Sequence, residues 1–233
     1  MFGDAVARIT KLRIDEPDRG RGRGTVAALA AEEVARGWGC RRIEATVPAD
    51  AAAAFRLATA LGYVVRNRGM EKSLGDTPPE LPEGSRARPM TEAEFGPWLE
   101  KGEEDYARSW IERGVPEAEA RAKSERDHAT LLPEGLATHG TLISVLEHEG
   151  TAVGVLWLAL RADSAFVFDV ETYAAHRGKG HGRTLMLLAE AQAIVEGRRA
   201  IGLNVFAGNT PAERLYASLG YETKLYAMYK PLV

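Results

Sequence analysis

Along the second half of the chain the apolar positions change period, and each change predicts a new element. Trp98, Leu99, Tyr106, Trp110 and Ile111 recur at helical spacing among charged residues, break near Gly114-Val-Pro116, and the pattern resumes to about Thr130. Two amphipathic helices are predicted. Thr91-Glu-Ala-Glu94 has the spacing of a capping box at the first of them, Thr91 accepting from a first-turn amide and Glu94 reaching back to the cap. The runs Thr141 to Leu146, Ala152 to Leu160 and Ala165 to Thr172 are β-branched and apolar; His148-Glu-Gly150 joins the first two and a short polar break precedes the third, which predicts an antiparallel meander. Arg183 to Glu196 is rich in Ala and Leu and stops at Gly197, as a helix does. Ala200 to Phe206 reads as a buried strand. Thr210-Pro211-Ala-Glu213 offers a cap, a first-turn proline and a capping-box glutamate for a helix closing at Gly220, and Tyr221 to Leu232 completes the sheet. The predicted order is ααβββαβαββ, an α/β arrangement with a mixed sheet.

The first third of the chain repeats part of this pattern. Arg19-Gly20 matches Arg177-Gly178 and Leu61-Gly62-Tyr63 matches Leu219-Gly220-Tyr221, both at an offset of 158; over residues 19 to 74 against 177 to 232, without a gap, 22 of 56 pairs are identical. Two related domains are the natural reading, since the spacing is far too long for a solenoid unit. Gly75 to Arg86 carries three prolines and two glycines, and reads as a linker. The expected organisation is a half-size unit at 1–74, a linker at 75–86 and a complete unit at 87–233.

Composition narrows the function by exclusion. A formal charge of -3 with 27% charged residues gives no general attraction to nucleic acid, so any anion site has to be local. The short tract Arg19-Gly-Arg-Gly-Arg-Gly24 aligns too well with the later glycine turn to stand as a nucleic-acid-binding segment. A single cysteine, Cys40, excludes an internal disulfide and a structural thiolate cage for zinc, and the five histidines lack metal-ligand spacing. No run approaches the ~20 apolar residues needed to span a bilayer. A cytoplasmic protein with no membrane partner and no metal is expected.

The sharpest chemical feature is Arg177-Gly-Lys-Gly180-His-Gly182-Arg183, after a predicted strand and directly before a predicted helix. Glycines let successive amides converge on one point, and the helix start adds unsatisfied donors and the positive end of its dipole, so the turn can hold a pyrophosphate. It fits neither the Walker A pattern nor the dinucleotide fingerprint. Arg177-x-x-Gly180-x-Gly182 resembles the pyrophosphate loop of the GNAT superfamily of N-acetyltransferases. Asn209-Thr-Pro-Ala212-Glu-Arg-Leu215-Tyr216-Ala-Ser-Leu219-Gly220-Tyr221 is similar to the same family's second motif. The resemblance covers the whole second unit and implies a GNAT-like mixed central sheet flanked by helices, preceded by a half-size repeat of the same fold.

What the resemblance implies for chemistry is an acetyl-CoA-dependent N-acetyltransferase, moving an acetyl group onto a primary amine of a small molecule or peptide by direct transfer. The family counts an extra strand before the first helix. On that count pantetheine pairs with the fourth strand at Val170, Glu171 and Thr172. The pyrophosphate rests on Arg177, Gly178, Lys179, Gly180, His181, Gly182 and Arg183, the Asn209 side chain bonds the pantetheine arm, and Tyr216 is the general acid or a hydrogen-bond donor to the departing thiolate, against the alternative of a packing tyrosine. Asp169 and Glu171 share a strand face, and two carboxylates there are costly unless they line a polar cleft; Glu171 is the expected base or holder of a relaying water, against the alternative of an ion-pair partner for a nearby Arg or Lys. A competing reading keeps the fold as a non-catalytic acyl-CoA-binding or structural module. In the first unit the offset sets Ala51 opposite Asn209 and Ala58 opposite Tyr216, so it is expected to be a non-catalytic remnant. Packing through Leu29, Ile43, Val47 and Leu57, it would support the second unit or a homodimer, with Arg8, Lys11 and Arg13 charging an edge strand from Ala7 to Ile14.

Overall fold

The computed structural model describes residues 6–232; the outermost positions of the expected units, 1–5 and 233, lie outside the described residues. In chain order the elements are β1 (Val6–Ile9), α1 (Arg23–Gly37), β2 (Arg42–Pro48), α2 (Ala52–Ala60), β3 (Val64–Ser73), β4 (Ser85–Pro89), α3 (Glu92–Ile111) and α4 (Glu117–Leu131). There follow β5 (Thr141–His148), β6 (Thr151–Leu160), β7 (Ser164–Thr172), α5 (His181–Val195), β8 (Ala200–Phe206), α6 (Thr210–Ser218) and β9 (Glu222–Pro231). This is a mixed α/β arrangement. The sequence pattern located the helices and strands of the second half closely. Two details differ: the last segment is the single strand β9, and β4 forms at the end of the proline-rich stretch, where Ser85 begins an antiparallel ladder with β5.

Residue contacts group the chain into two compact units, Met1–Met70 with Asn204–Val233, and Glu71–Leu203. In the first unit β1 pairs in parallel with β2 over Val6–Ile9 against Arg42–Ala45, and β2 pairs antiparallel with β9 from Arg42↔Pro231 to Pro48↔Leu225. Its core gathers Ala35, Cys40, Ile43, Val47, Tyr63, Met228 and Leu232. Leu29, expected inside, is 46% exposed, because α1 turns Ala28, Glu32 and Ala35 inward and Leu29 lies off that stripe. The expected edge strand is also shorter than its charge pattern suggested. It ends at Ile9, since β1 has a ladder partner only over four residues; Lys11 and Arg13 fall beyond it, and Arg8 reaches the buried Glu44 at 3.1 Å.

In the second unit the strands run β8-β7-β6-β5-β4, with β7 and β8 parallel and the others antiparallel. The core between these strands and α3 is aromatic: Trp98 lies edge-on to Trp157 at 5.6 Å between ring centroids, and Trp157 lies 4.8 Å from Phe168. The start of α3 is anchored by Glu94, which accepts from the Thr91 amide at 2.9 Å and from the Thr91 hydroxyl at 2.7 Å. Arg88 on β4 grips the same carboxylate through both terminal nitrogens and, with Thr91, holds it down to about 2. A charged strand residue thus fixes where the following helix begins.

The sequence offset of 158 reappears as geometry. Four paired residues, Val6–Ile9 with Arg42–Ala45, correspond position by position to Ser164–Val167 with Ala200–Leu203. Glu32 on α1 bonds Lys230 on β9 at 2.6 Å, and Glu190 on α5 bonds Lys72 at the end of β3 at 2.7 Å. Lys72 and Lys230 are themselves 158 apart, as are Glu32 and Glu190, so each helix takes its lysine from the other repeated segment's last strand. Leu232 N–H to Arg41 O and Leu74 N–H to Arg199 O, both 2.8 Å, follow the same exchange. A cut at residue 86 would therefore part β9 from β2 and Glu190 from Lys72. Glu190 is almost fully buried, and removing one partner of a buried pair leaves an uncompensated charge. Lys72→Met is expected to destabilise the protein by on the order of 3 kcal/mol in urea titration. Lys72→Met with Glu190→Gln should regain most of that loss; equal midpoints for the single variant and the parent would show the exchange to be energetically idle.

Candidate active site

The site in the second unit starts from a strand that loses a neighbour. The ladder of β7 with β8 covers Ser164↔Ala200 to Val167↔Leu203, and beyond it Asp169 to Thr172 are matched to β6. The β6 register shifts at the same place: Trp157 pairs with Asp169 and Leu158 with Val167, which leaves Phe168 as the extra residue of a bulge. A bulge re-aims the side chains after it. Here it sets Asp169 and Glu171 opposite Trp157 and Val155, on the face covered by α3, while Val167 sits opposite Leu158 on the other face. Val170, Glu171 and Thr172, expected to meet pantetheine, occupy this half-paired end of β7, and all three are partly accessible.

Gly154 on β6 is what lets that end of β7 come close. A β-carbon there would lie 2.3 Å from the Glu171 carbonyl oxygen and 2.9 Å from Leu185 of α5. Only glycine fits so close a backbone approach.

Glu171 is held by a lysine. The Lys101 ammonium on α3 lies 3.0 Å from its carboxylate and 2.6 Å from Asp105, and the Arg177 guanidinium is 4.0 Å away. Burial pulls the Lys101 pKa down, but its bonds to Asp105 and Glu171 outweigh this and leave it raised. Asp169 has a different environment. Desolvation first, then the charge of Glu171, push its carboxyl up to about 6 against the weaker pull of Lys101. Lys101 also borders a cleft of about 490 Å³ between α3 and α4, lined by Glu100, Glu103, Glu104, Arg121 and Ser124 among others.

After β7 comes the glycine turn. Arg177 folds back, its Nε donating to Thr172 O at 3.1 Å; Gly178 (φ 78°) and Gly180 (φ 88°) both take left-handed backbone, and α5 starts at His181. The Arg183 and Thr184 amides return to Gly180 O at 2.9 and 3.3 Å, so the amides just before them are those a helix start leaves for an outside acceptor. Arg177, Lys179 and Arg183 stand exposed around this point. His181 does not join them, because its ring is buried 5.1 Å from His148 and 6.2 Å from His176. Burial, with those imidazoles and Lys179 nearby, pushes its pKa down, so it offers an anion its backbone amide and no side-chain charge.

Asn209 and Tyr216 belong to α6 in the first unit. Asn209 is the cap residue, its Oδ1 accepting from Ala212 N–H at 3.3 Å; Thr210 is already the first helical residue, which corrects the expected cap. Tyr216 is buried, its ring centroid 6.0 Å from that of Tyr221, whose amide returns to Tyr216 O at 3.0 Å. The turn Ala58 to Tyr63 repeats that bond at 3.0 Å without the phenol.

Lys101 and Gly154 escape a reading of the sequence. Lys101 sits in a mixed-charge helical stretch that reads as a solvated face, and only the capping box, by fixing where α3 begins, hints at its direction. Gly154 stands alone inside a strand pattern, which is itself a sign of close backbone approach.

A family model for the acetyltransferase (GNAT) family matches residues 2–63 and 99–221. The chain belongs to that family. It is 32% identical over 151 residues to YycN, an uncharacterised N-acetyltransferase of Bacillus subtilis (strain 168), covering 62% of this chain and 96% of that one. To YdgE, an uncharacterised N-acetyltransferase of the same organism, it is 30% identical over 151 residues, covering 61% and 95%. Among solved structures, a GCN5-related N-acetyltransferase from Sphaerobacter thermophilus is similar at TM-score 0.59 and 24% identity, over 94% of this chain and 71% of that chain. A tandem GNAT protein from the clavulanic acid biosynthesis pathway is similar at TM-score 0.56 and 20% identity, over 99% and 76%. These likenesses establish the mixed α/β GNAT fold, a central sheet flanked by helices. Among the described residues no helix is long and apolar enough to cross a membrane.

The close approach at Gly154 is open to test. Gly154→Ala is expected to cost ~1–3 kcal/mol through overpacking against the Glu171 carbonyl. A urea midpoint equal to the parent's would mean that β6 and β7 can part without cost.

Proposed function

We propose that the chain is an N-acetyltransferase that carries an acetyl group from acetyl-CoA directly to a primary amine, on a small molecule or a peptide. The observation that carries this reading is the glycine turn at the head of α5. Its left-handed Gly178 and Gly180 lie six and eight residues beyond the half-paired end of β7 at Thr172, so open strand and anion-binding amides follow one another along the chain. The pyrophosphate of acetyl-CoA would be held by amides from Gly178 to Arg183, with charge from Arg177, Lys179 and Arg183. The pantetheine arm would run along Val170 to Thr172 and take a bond from the Asn209 side chain.

Transfer needs a neutral amine. Once the ammonium has lost a proton, the nitrogen attacks the thioester carbon, the C–N bond forms, and the C–S bond breaks as the tetrahedral adduct collapses. The CoA thiolate gains a proton from the Tyr216 hydroxyl, and the second N–H proton shed by the adduct restores that hydroxyl, leaving amide, thiol and the one proton released from the ammonium. The resemblance draws the proton acceptor from the fourth strand, where the sequence pattern named Glu171 as base or holder of a relaying water and where Asp169 shares its face. Residues 87–233 form the complete transferase copy in this reading. Residues 1–74 are a partial, non-catalytic one with at most weak CoA binding, since Ala51 and Ala58 stand where Asn209 and Tyr216 would act. The cytoplasm suits a co-substrate of this kind, and the molecule works alone or as a homodimer.

CoA is expected to raise the melting temperature by mass action, and Gly180→Asp to abolish that rise by setting bulk and like charge beside the pyrophosphate. Calorimetry run below the variant's own melting point separates lost binding from lost fold; parental affinity in Gly180→Asp would remove the turn from the site. Tyr216→Phe is expected to lower turnover at least tenfold with acetyl-CoA affinity within a few-fold. The assay screens amine classes and follows free CoA thiol. Release no faster than hydrolysis with every class would favour the non-catalytic acyl-CoA-binding module instead.

A further inference from the structure

We infer that the proton acceptor for the incoming amine is Asp169, with Lys101 as a positioning residue that covers the charge of Glu171. The assignment rests on the transferase reading and identifies the base within it. Two carboxylates stand two residues apart on one face of β7, and a single ammonium lies against one of them. Lys101 is bonded to Glu171 at 3.0 Å and to Asp105 at 2.6 Å, so Glu171 is engaged in a bridge that spans from β7 to α3. A carboxylate paired to an ammonium is the weaker base, because taking a proton forfeits the attraction of its partner. Among the described residues Asp169 is bridged to no cation in this way.

The surroundings of Asp169 suit the task. Its strand partner is Trp157, the bulged Phe168 precedes it, and Trp98 of α3 completes an apolar wall. The buried Trp98 indole N–H faces the carboxylate from outside full hydrogen-bond geometry. The charged groups acting on Asp169 are Glu171 from its own strand and Lys101 from α3. Desolvation by these rings, with Glu171 adding to it, holds the carboxyl near 6, where a general base works best at neutral pH: mostly ionised, yet basic enough to take a proton. Asp169 would receive the proton leaving the acceptor's ammonium, the freed nitrogen would attack the thioester, and Asp169 would then return the proton to water.

The pair makes opposite predictions for its two neighbours. Activity should fall with acidity through a limb near pH 6, as Asp169 protonates. Glu171→Gln removes the charge that raises Asp169 and leaves the lysine that lowers it, so the limb should move down by roughly one pH unit. Lys101→Met removes the lowering charge, and the limb should move up by a similar amount. Asp169→Asn, nearly isosteric, should cut turnover roughly a hundredfold or more and erase the limb. The experiment measures pH-rate profiles of the full chain with acetyl-CoA and its best amine in all four proteins, alongside carbon NMR titration of the Asp169 carboxyl in the three that keep it. An Asp169→Asn enzyme that keeps its limb, or a limb erased by Glu171→Gln, would overturn the assignment, as would an Asp169 titration that ignores both neighbours. If the carboxyl titrates and shifts as described while no amine is acetylated even by the parent, the transferase reading fails and the coupled pair remains.

Discussion

The strand β7 has ladder partners on both sides from Ala165 to Val167 and is matched to β6 alone from Asp169 to Thr172. An extended backbone with free amides and carbonyls on one side is costly to bury, so such a segment is stable only where water or a ligand can reach it. The other features of the second unit follow from that parting. The bulge at Phe168 turns the carboxylates toward α3, Gly154 admits the strand close to β6, and Arg177 folds back onto Thr172 O before the glycines redirect the chain into α5. The half-open strand and the amide-lined helix start are therefore successive parts of one run of chain.

Electrostatics on this strand works by division of labour. A carboxylate that is bridged to a lysine is a structural anchor, and one in an aromatic surrounding is a titrating group; the same residue type serves both ends because its neighbours differ. In the first unit Glu44 shows the anchoring extreme, buried and held by Arg8 and Arg66 at 3.1 and 2.6 Å.

How far the sequence discloses all this depends on the range of the interaction involved. The capping box at Thr91, the helix stop at Gly197 and the strand from Ala200 to Phe206 are local, and the residues themselves announce them. The glycine turn is legible because φ above zero restricts residue choice. By contrast, Lys101 meets Glu171 across seventy positions, and nothing in a mixed-charge helix says which lysine will face inward. The early end of β1 at Ile9 was hidden for the same reason: its length is set by the partner it pairs with, and its own residues were equally fit to continue. Leu29 deceived because a hydrophobic residue at the matching repeat position implies a core only where something covers that face of the helix.

The lysine exchange has a consequence for how the chain comes into being. The core that gathers Ile43 and Tyr63 also needs Met228 and Leu232, so the first unit cannot close when its amino-terminal segment leaves the ribosome. Some 160 further residues must be translated before β9 arrives. At ~5–20 residues per second that is a wait of roughly 8–30 s, with β2 uncovered along one edge. Over that interval the segment carries an open sheet edge and uncovered apolar side chains, which favour aggregation, and slow translation would lengthen the exposure even though the finished protein shows no trace of it.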